Sequence, residues 1–310
     1  MTDRPQAGAR PQTRCGFVAL IGAPNAGKST LVNRLVGAKV SIVTHKVQTT
    51  RARMRGVAAV GESQLVLVDT PGIFTPKRRL DEAMVETAWS EARGADIVVV
   101  LLDATKQIDS EAERILTGLG AIEPPVVLAI NKIDRVKKGT LLALAARASQ
   151  GAAFARVFMI SALTGEGVGD LEAYLAGAVP AGPWLYPEDQ IADAPLRQWA
   201  AEVTREKLTL RLHQELPYAS TVETTAWKEL KKGGVRIEQT VFVERESQKK
   251  IVLGAGGRTI KAISMAAREE LQAALEMPVH LFLFVKVRER WGEDPERYRE
   301  MGLDFPKPGR

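Results

Sequence analysis

One short motif constrains this chain more than any other feature. Gly22-Ala-Pro-Asn-Ala-Gly27-Lys28-Ser29 fits the pattern G-x-x-x-x-G-K-[ST]. It follows an apolar run over residues 17–21 and opens a helical spacing over 28–35, the strand–loop–helix setting the pattern requires. The glycines let the backbone bend so that its N–H groups converge on phosphate oxygens, and a helix N-terminus adds positive potential. Gly22, Asn25, Ala26, Gly27, Lys28, Ser29 and Thr30 are therefore candidate phosphate-binding residues. Lys28 has the reach for the β- and γ-phosphates, and the Ser29 hydroxyl suits a Mg²⁺ ligand.

The surroundings repeat that alternation. Residues 64–68, 97–102, 126–130 and 157–160 are apolar runs without strict alternation, the mark of strands covered on both faces. Helical spacing occupies 80–91, 110–119, 141–150 and 168–175 between them. The expectation is an α/β domain over 15–180 with a mainly parallel sheet and helices on both faces. Residues 1–14 carry charges and prolines but no signal-like apolar stretch, and read as a flexible leader. Four prolines within 180–195 mark 181–195 as an interdomain linker. A length of 310 residues accommodates a second domain. The lone cysteine, Cys15, excludes an intrachain disulfide and a cysteine-rich zinc site. Apolar runs such as 97–102 are far too short to span a bilayer.

Asp69-Thr-Pro-Gly72 closes the strand at 64–68. A carboxylate there can hold Mg²⁺, and Gly72 lets backbone approach the γ-phosphate. Between the two motifs, residues 41–55 have no helical period and carry Lys46, Arg51, Arg53 and Arg55 without an acid. They read as a switch loop, with Gln48, Thr49, Thr50 and Arg51 at its centre and either Thr49 or Thr50 supplying a metal ligand. Arg51 is also a candidate arginine finger in cis.

Base identity is readable from Asn131-Lys-Ile-Asp134 at the end of the strand 126–130. The Asp134 carboxylate can accept two hydrogen bonds from the N1–H and 2-amino group of guanine, a donor pair adenine lacks, so the ligand is GTP/GDP. Asn131 braces the loop, and the stem of Lys132 packs on the base. Backbone N–H groups of Ser161, Ala162 and Leu163 reach the guanine oxygen. Asp134 argues against an ATP-dependent kinase or transporter on the same fold.

Beyond the linker, residues 196–212 look helical, 221–228 and 235–244 look like strands around a Lys-Lys-Gly-Gly turn, and 279–287 is a final strand. Gly254-Ala-Gly-Gly257 precedes a helix that runs to about residue 275. Such a loop is either a plain turn at a helix N-terminus or, as in KH domains, a clamp for about four nucleotides of single-stranded RNA. Six cations (Arg245, Lys249, Lys250, Arg258, Lys261, Arg268) surround it against Glu246 alone. Gly254, Ala255, Gly256, Gly257, Arg258, Lys261, Lys249 and Lys250 are the candidate RNA contacts. The tail, 291–310, has mixed charge and reads as a surface helix, and the five tryptophans read as packing residues.

The four nucleotide motifs, in this order, resemble the P-loop GTPase superfamily. With Gln48-Thr-Thr-Arg51, Asp69-Thr-Pro-Gly-Ile73, Glu244-Arg-Glu-Ser-Gln-Lys-Lys250 and the glycine loop, residues 15–305 closely resemble the Era family. The resemblance implies a type II KH domain over 196–290 and GTP hydrolysis. It further implies binding near the 3′ end of small-subunit (16S) ribosomal RNA, a role in 30S subunit assembly and a monomeric cytoplasmic protein with peripheral inner-membrane association. Asn25 resembles the subgroup in which that residue helps bind potassium. Ile73 stands where Ras-like GTPases carry a water-orienting glutamine, so slow intrinsic turnover is expected. The alternative is a module that holds GTP without hydrolysing it. Ala255 departs from the family, which usually has a lysine inside the glycine loop.

Overall fold

The computed structural model describes residues 13–306 except 47, 48, 52, 194, 213–215 and 232. Residues 1–12 of the expected leader and Gln48 therefore lie outside the described residues. Strand β1 (Arg14–Gly22) begins where that leader was expected to end, and helix α1 (Lys28–Val36) follows the phosphate loop. The α/β unit continues with β2 (Met54–Val60), β3 (Ser63–Asp69), α2 (Arg79–Gly94), β4 (Ile97–Asp103) and α3 (Ser110–Gly118). It ends with β5 (Val126–Asn131), α4 (Lys138–Gly151), β6 (Arg156–Ile160) and α5 (Val168–Ala178).

These strands form one sheet in the order β2-β3-β1-β4-β5-β6, parallel except for the antiparallel β2–β3 pair. Every residue of β3 and β5 is buried, as continuous apolar runs demand of a sheet covered on both faces. Val18, Leu20 and Leu67 pack on α1 and α5, while Ile21, Val98 and Leu128 pack against α2, α3 and α4. Strand β2 was missed in the sequence, because Arg53 and Arg55 disguise its start as switch loop. Antiparallel pairing with β3 through Met54–Asp69 recruits it.

The linker is not a free tether. Trp184 donates to the Glu62 carbonyl (3.1 Å), Gln64 Oε1 accepts from the Leu185 and Tyr186 N–H groups (2.9 and 3.0 Å), and Val57 N–H reaches the Ile191 carbonyl (2.9 Å).

The C-terminal unit comprises α6 (Leu196–Arg211), β7 (Ser220–Glu229), β8 (Val235–Val243), α7 (Glu246–Leu253), α8 (Arg258–Leu275) and β9 (Val279–Val287). Its sheet runs β7-β8-β9, with β7 antiparallel and β9 parallel to the central β8. This α-β-β-α-α-β order fits the expected type II KH arrangement, with α7 as the extra helix before the glycine loop.

The tail differs from expectation. Trp291 (2% exposed) donates to the Ala219 carbonyl at 3.1 Å. The short helix α9 (Pro295–Glu300) then places Tyr298 and Leu303 in one buried cluster with Ala83 and Met84 of α2. A mixed-charge segment this short shows no apolar period. Three widely spaced apolar residues nevertheless tie it across the molecule to the helix after Asp69-Thr-Pro-Gly72.

Candidate nucleotide site and RNA-binding loop

The phosphate loop is shaped by glycine at two crowded points. Gly22 has φ 150°, and a Cβ there would stand 2.5 Å from the Leu101 carbonyl oxygen. Gly27, with φ 100°, caps α1, and its Cβ would meet Asn131 Nδ2 at 2.2 Å. That approach lets Asn131 donate to the Ala26 carbonyl (2.8 Å) and accept from the Ala162 N–H (2.9 Å), tying the phosphate loop to the end of β6. Lys28 is buried, and its ammonium lies 3.1 Å from both the Gly22 and Ala23 carbonyls. Burial, opposed in part by Asp69, lowers its pKa to about 8.

Asp69, at the C-terminal end of β3, is fully buried. Its Oδ2 accepts from Ser29 Oγ (2.7 Å) and Thr50 Oγ1 (3.2 Å), and those two hydroxyls stand 3.0 Å apart. Oδ1 has no partner among the described residues. Burial raises the Asp69 pKa, against hydrogen bonding from Ser29 and the charge of Lys28. An orphaned buried carboxylate oxygen beside two hydroxyls is the hard-oxygen donor set that Mg²⁺ takes. Of the two candidate threonines, Thr50 stands in this cluster. The Thr49 hydroxyl bonds to Thr44 Oγ1 and the Lys46 carbonyl, both at 2.7 Å.

A cavity of about 620 Å³ opens in front of these groups, lined by Asn25, Gly27, Ser29, Thr30, Gly72 and Lys132 among others. That volume suits a nucleotide. Gly72 packs against Pro24, where a Cβ would lie 2.9 Å from the Pro24 nitrogen. Ile73 is buried in the core (2% exposed) with its N–H on the Gly22 carbonyl (3.0 Å), so its side chain faces away from the cavity. Asn25 (φ 62°) donates to the His45 carbonyl at 3.0 Å.

At the base end, Lys132 takes a left-handed conformation (φ 68°) and its ammonium bonds to Asp103 at 2.6 Å. Burial alone would raise the Asp103 pKa, but hydrogen bonds from Lys132 and Thr105 hold it below the usual carboxylate value. Asp134 is exposed in a single turn, Ile133–Arg135, just past β5. Ser161 is buried, and Leu163 is 70% exposed at the rim. The Ala162 N–H is given to Asn131, which leaves Leu163 as the backbone donor nearer the opening. Arg34 braces this loop through the Ala162 and Leu163 carbonyls. Asp103 and Arg34 escaped the sequence reading. Asp103 was findable, since it ends a strand in register with Asn131 at the carboxyl edge of a parallel sheet; Arg34 carries no local signal.

The switch segment leans on the C-terminal unit. Arg51 is not aimed at the cavity. Its guanidinium is buried, donates to the carbonyls of Pro217 (2.8 Å) and Ser220 (2.7 Å), and lies 5.9 Å from the Trp291 ring centre. Burial, with Arg205 nearby, lowers its pKa to about 9. The arginine-finger expectation fails because these two carbonyls hold the guanidinium in the other domain. Arg205 of α6 bonds to the Thr49 carbonyl and to Glu202. Glu206 accepts from the Val43 N–H (2.9 Å) and from Lys39 (2.7 Å).

In the C-terminal unit the loop glycines Gly254, Gly256 and Gly257 have φ values of 72°, 60° and 77°. Added Cβ atoms at Gly256 and Gly257 would meet nothing, so the backbone there is open to a ligand. Ala255 and Arg258 are exposed, and Arg258 Nε reaches back 3.2 Å to the Ala255 carbonyl. Lys250 and Lys261 are exposed and Lys249 is half-buried, around the exposed Ile251.

Fold and site together define a P-loop GTPase domain followed by a KH domain. Sequence comparison agrees: residues 17–132 match the family described as 50S ribosome-binding GTPase, and residues 215–292 match the KH domain family. The chain is 66% identical over 310 residues to the GTPase Era of Rhizobium meliloti (strain 1021), covering 99% of each chain. It is 66% identical over 295 residues to that of Brucella suis biovar 1 (strain 1330), covering 95% of each. The chain belongs to the Era family of GTPases. Its structure is similar to that of Era in complex with MgGDPNP and nucleotides 1506–1542 of 16S ribosomal RNA, with TM-score 0.89 and 36% identity over 94% of this chain and 99% of that one. It is also similar to an Aquifex aeolicus Era variant bound to GDP·AlF4⁻, with TM-score 0.87, 36% identity and the same coverage.

Proposed function

We propose that the protein is a GTP-hydrolysing switch that binds 16S ribosomal RNA near its 3′ end through the KH domain and acts in 30S subunit assembly. One observation carries the switch: Thr50 stands in the Ser29–Asp69 cluster while its neighbour Arg51 is buried among carbonyls of the C-terminal unit. A segment able to sense the γ-phosphate is thus bonded to the RNA-binding unit.

In this reading the N–H groups of Gly27, Lys28 and Ser29 hold the phosphates, and Lys28 exchanges loop carbonyls for phosphate oxygens. Gly72 approaches the γ-phosphate. Ser29, Thr50 and Asp69 would hold Mg²⁺, which would supply positive charge to offset that of the phosphates. Asp134 selects guanine, flanked by the Lys132 stem and Leu163, with Asn131, Ser161 and Ala162 fixing the loop. The buried Ile73 cannot orient water, so intrinsic hydrolysis is slow; potassium at Asn25 or bound RNA accelerates it. The glycine loop, Lys249, Lys250, Arg258 and Lys261 meet RNA. Likeness to the Era–16S complex favours the small subunit as the place of action. A monomer in the cytoplasm with peripheral membrane association is likewise proposed, as the resemblance to the Era family implies. Among the described residues no helix is long and apolar enough to cross a membrane.

Single-turnover hydrolysis in potassium and in sodium, with and without RNA, tests this reading. Phosphate release that rises with potassium or RNA is expected. No release under any condition leaves a GTP-holding module, and equal rates throughout remove the potassium and RNA roles.

A further inference from the structure

Strand β9 alternates cleanly. Leu281, Leu283, Val285 and Val287 pack inward under the helices, and His280, Phe282, Phe284 and Lys286 face out. Phe282 and Phe284 remain 44% and 47% exposed, at successive outward positions about 7 Å apart along a strand. The parallel neighbour β8 sets Arg236 opposite His280, Glu238 opposite Phe282, and Phe242 opposite Lys286. The Arg236 guanidinium lies 4.6 Å from the Phe282 ring centre, and that of Arg288 lies 6.0 Å from the Phe242 ring centre. The solvated face of a sheet ordinarily carries polar side chains, and β9 is an edge strand, where bare aromatic rings invite unwanted pairing. Exposed rings in such a place mark a contact surface.

Charge selects the occupant. Lys286, Arg236 and Arg288 ring the patch; Glu238 is bonded to Arg236 at 2.7 Å and Asp294 to Arg288 at 2.5 Å, which leaves the group with a net positive charge. Rings interleaved with cations suit stacked bases and their phosphates. The ion pair inside the patch opposes insertion into acyl chains, where charge is expensive to bury. Continuity points the same way: α7 runs into the glycine loop and packs on β9, whose outer edge is unpaired among the described residues. A strand leaving the loop has a short path around that edge.

We propose that the outer face of β8 and β9 is a second RNA contact, where bases stack on Phe282 and Phe284 and Lys286 and Arg288 meet phosphates. It rests on the RNA-binding reading above and extends the bound strand beyond the loop. The test uses fluorescence anisotropy with two oligonucleotides drawn from nucleotides 1506–1542 of 16S RNA. One fills only the loop at about 4 nucleotides, and the other is about three times longer. The wild-type protein binds the long strand more tightly. Phe282→Leu/Phe284→Leu keeps the strand apolar and removes the rings. It weakens the long strand at least about fivefold and leaves the short one unchanged. Phe282→Trp/Phe284→Trp retains long-strand affinity. Gly256→Asp loses both strands. Long-strand affinity unchanged in the leucine pair overturns the proposal while leaving the loop reading intact; wild-type protein that binds neither strand overturns both. Should the leucine pair unfold, Lys286→Glu decides in the same way, by weakening or sparing the long strand alone. Loss of binding to anionic phospholipid vesicles in Phe282→Ser/Phe284→Ser, with long-strand RNA affinity kept, overturns it in favour of a lipid surface.

Discussion

Two adjacent threonines with one chemistry have different surroundings here. Thr50 shares Asp69 with Ser29, whereas Thr49 is bonded within its own loop. Thr50→Ala should therefore abolish Mg²⁺-dependent turnover, and Thr49→Ala should keep most of it; steady-state phosphate release separates the two, and equal losses would contradict the assignment. Asp134→Asn should weaken GTP binding by at least about 100-fold and leave the far weaker ATP binding unaltered, read by calorimetry. At the glycine loop, Arg258 leans over the Ala255 carbonyl, beside the position where the family usually has lysine. If it supplies the missing phosphate contact, Arg258→Ala lowers the salt slope of RNA binding by about 0.7.

At the scale of elements, α6 is the clamp. Glu206, 3% exposed, accepts from Lys39, Lys207 and the Val43 N–H. Burial pushes its pKa up, but these three donors outweigh burial and hold it below the ordinary 4.5. A lowered carboxylate contributes stability above its unfolded value, and that contribution is lost as pH falls through the folded value. Docking of the switch loop on α6 should accordingly hold at neutral pH and loosen below about pH 4.5, and Glu206→Gln should remove this dependence; hydrogen exchange at Val43 reports both. Helix α2 is gripped by the tail through Tyr298, whose burial pushes its pKa up to about 12. Tyr298→Ala should cost about 3–5 kcal/mol in thermal unfolding, and a loss under 1 kcal/mol would show the tail to be loosely held. The elements carrying a period or a motif were legible in sequence, from α1 through β9. Strand β2, the pinned linker and the tail were not, because pairing and burial across long sequence separations define them. For the same reason Arg34 and Arg205 were invisible, while Asn131, Asp69 and Lys28 announced themselves.

For the whole molecule, the two units meet through the switch loop itself. Arg51, Arg205, Glu206 and Lys46 bond across the boundary, and the tail returns from the KH unit to α2. The nucleotide cavity and the RNA-binding unit are therefore joined through the switch loop, and if nucleotide state shifts these contacts, linkage requires nucleotide and RNA to alter each other's affinity equally. The direct measurement is RNA affinity of one preparation loaded with a non-hydrolysable GTP analogue and then with GDP, at fixed magnesium and salt. The two affinities should differ by about 5- to 150-fold, with the difference collapsing in Arg51→Ala. Equal affinities in the two nucleotide states would contradict the account.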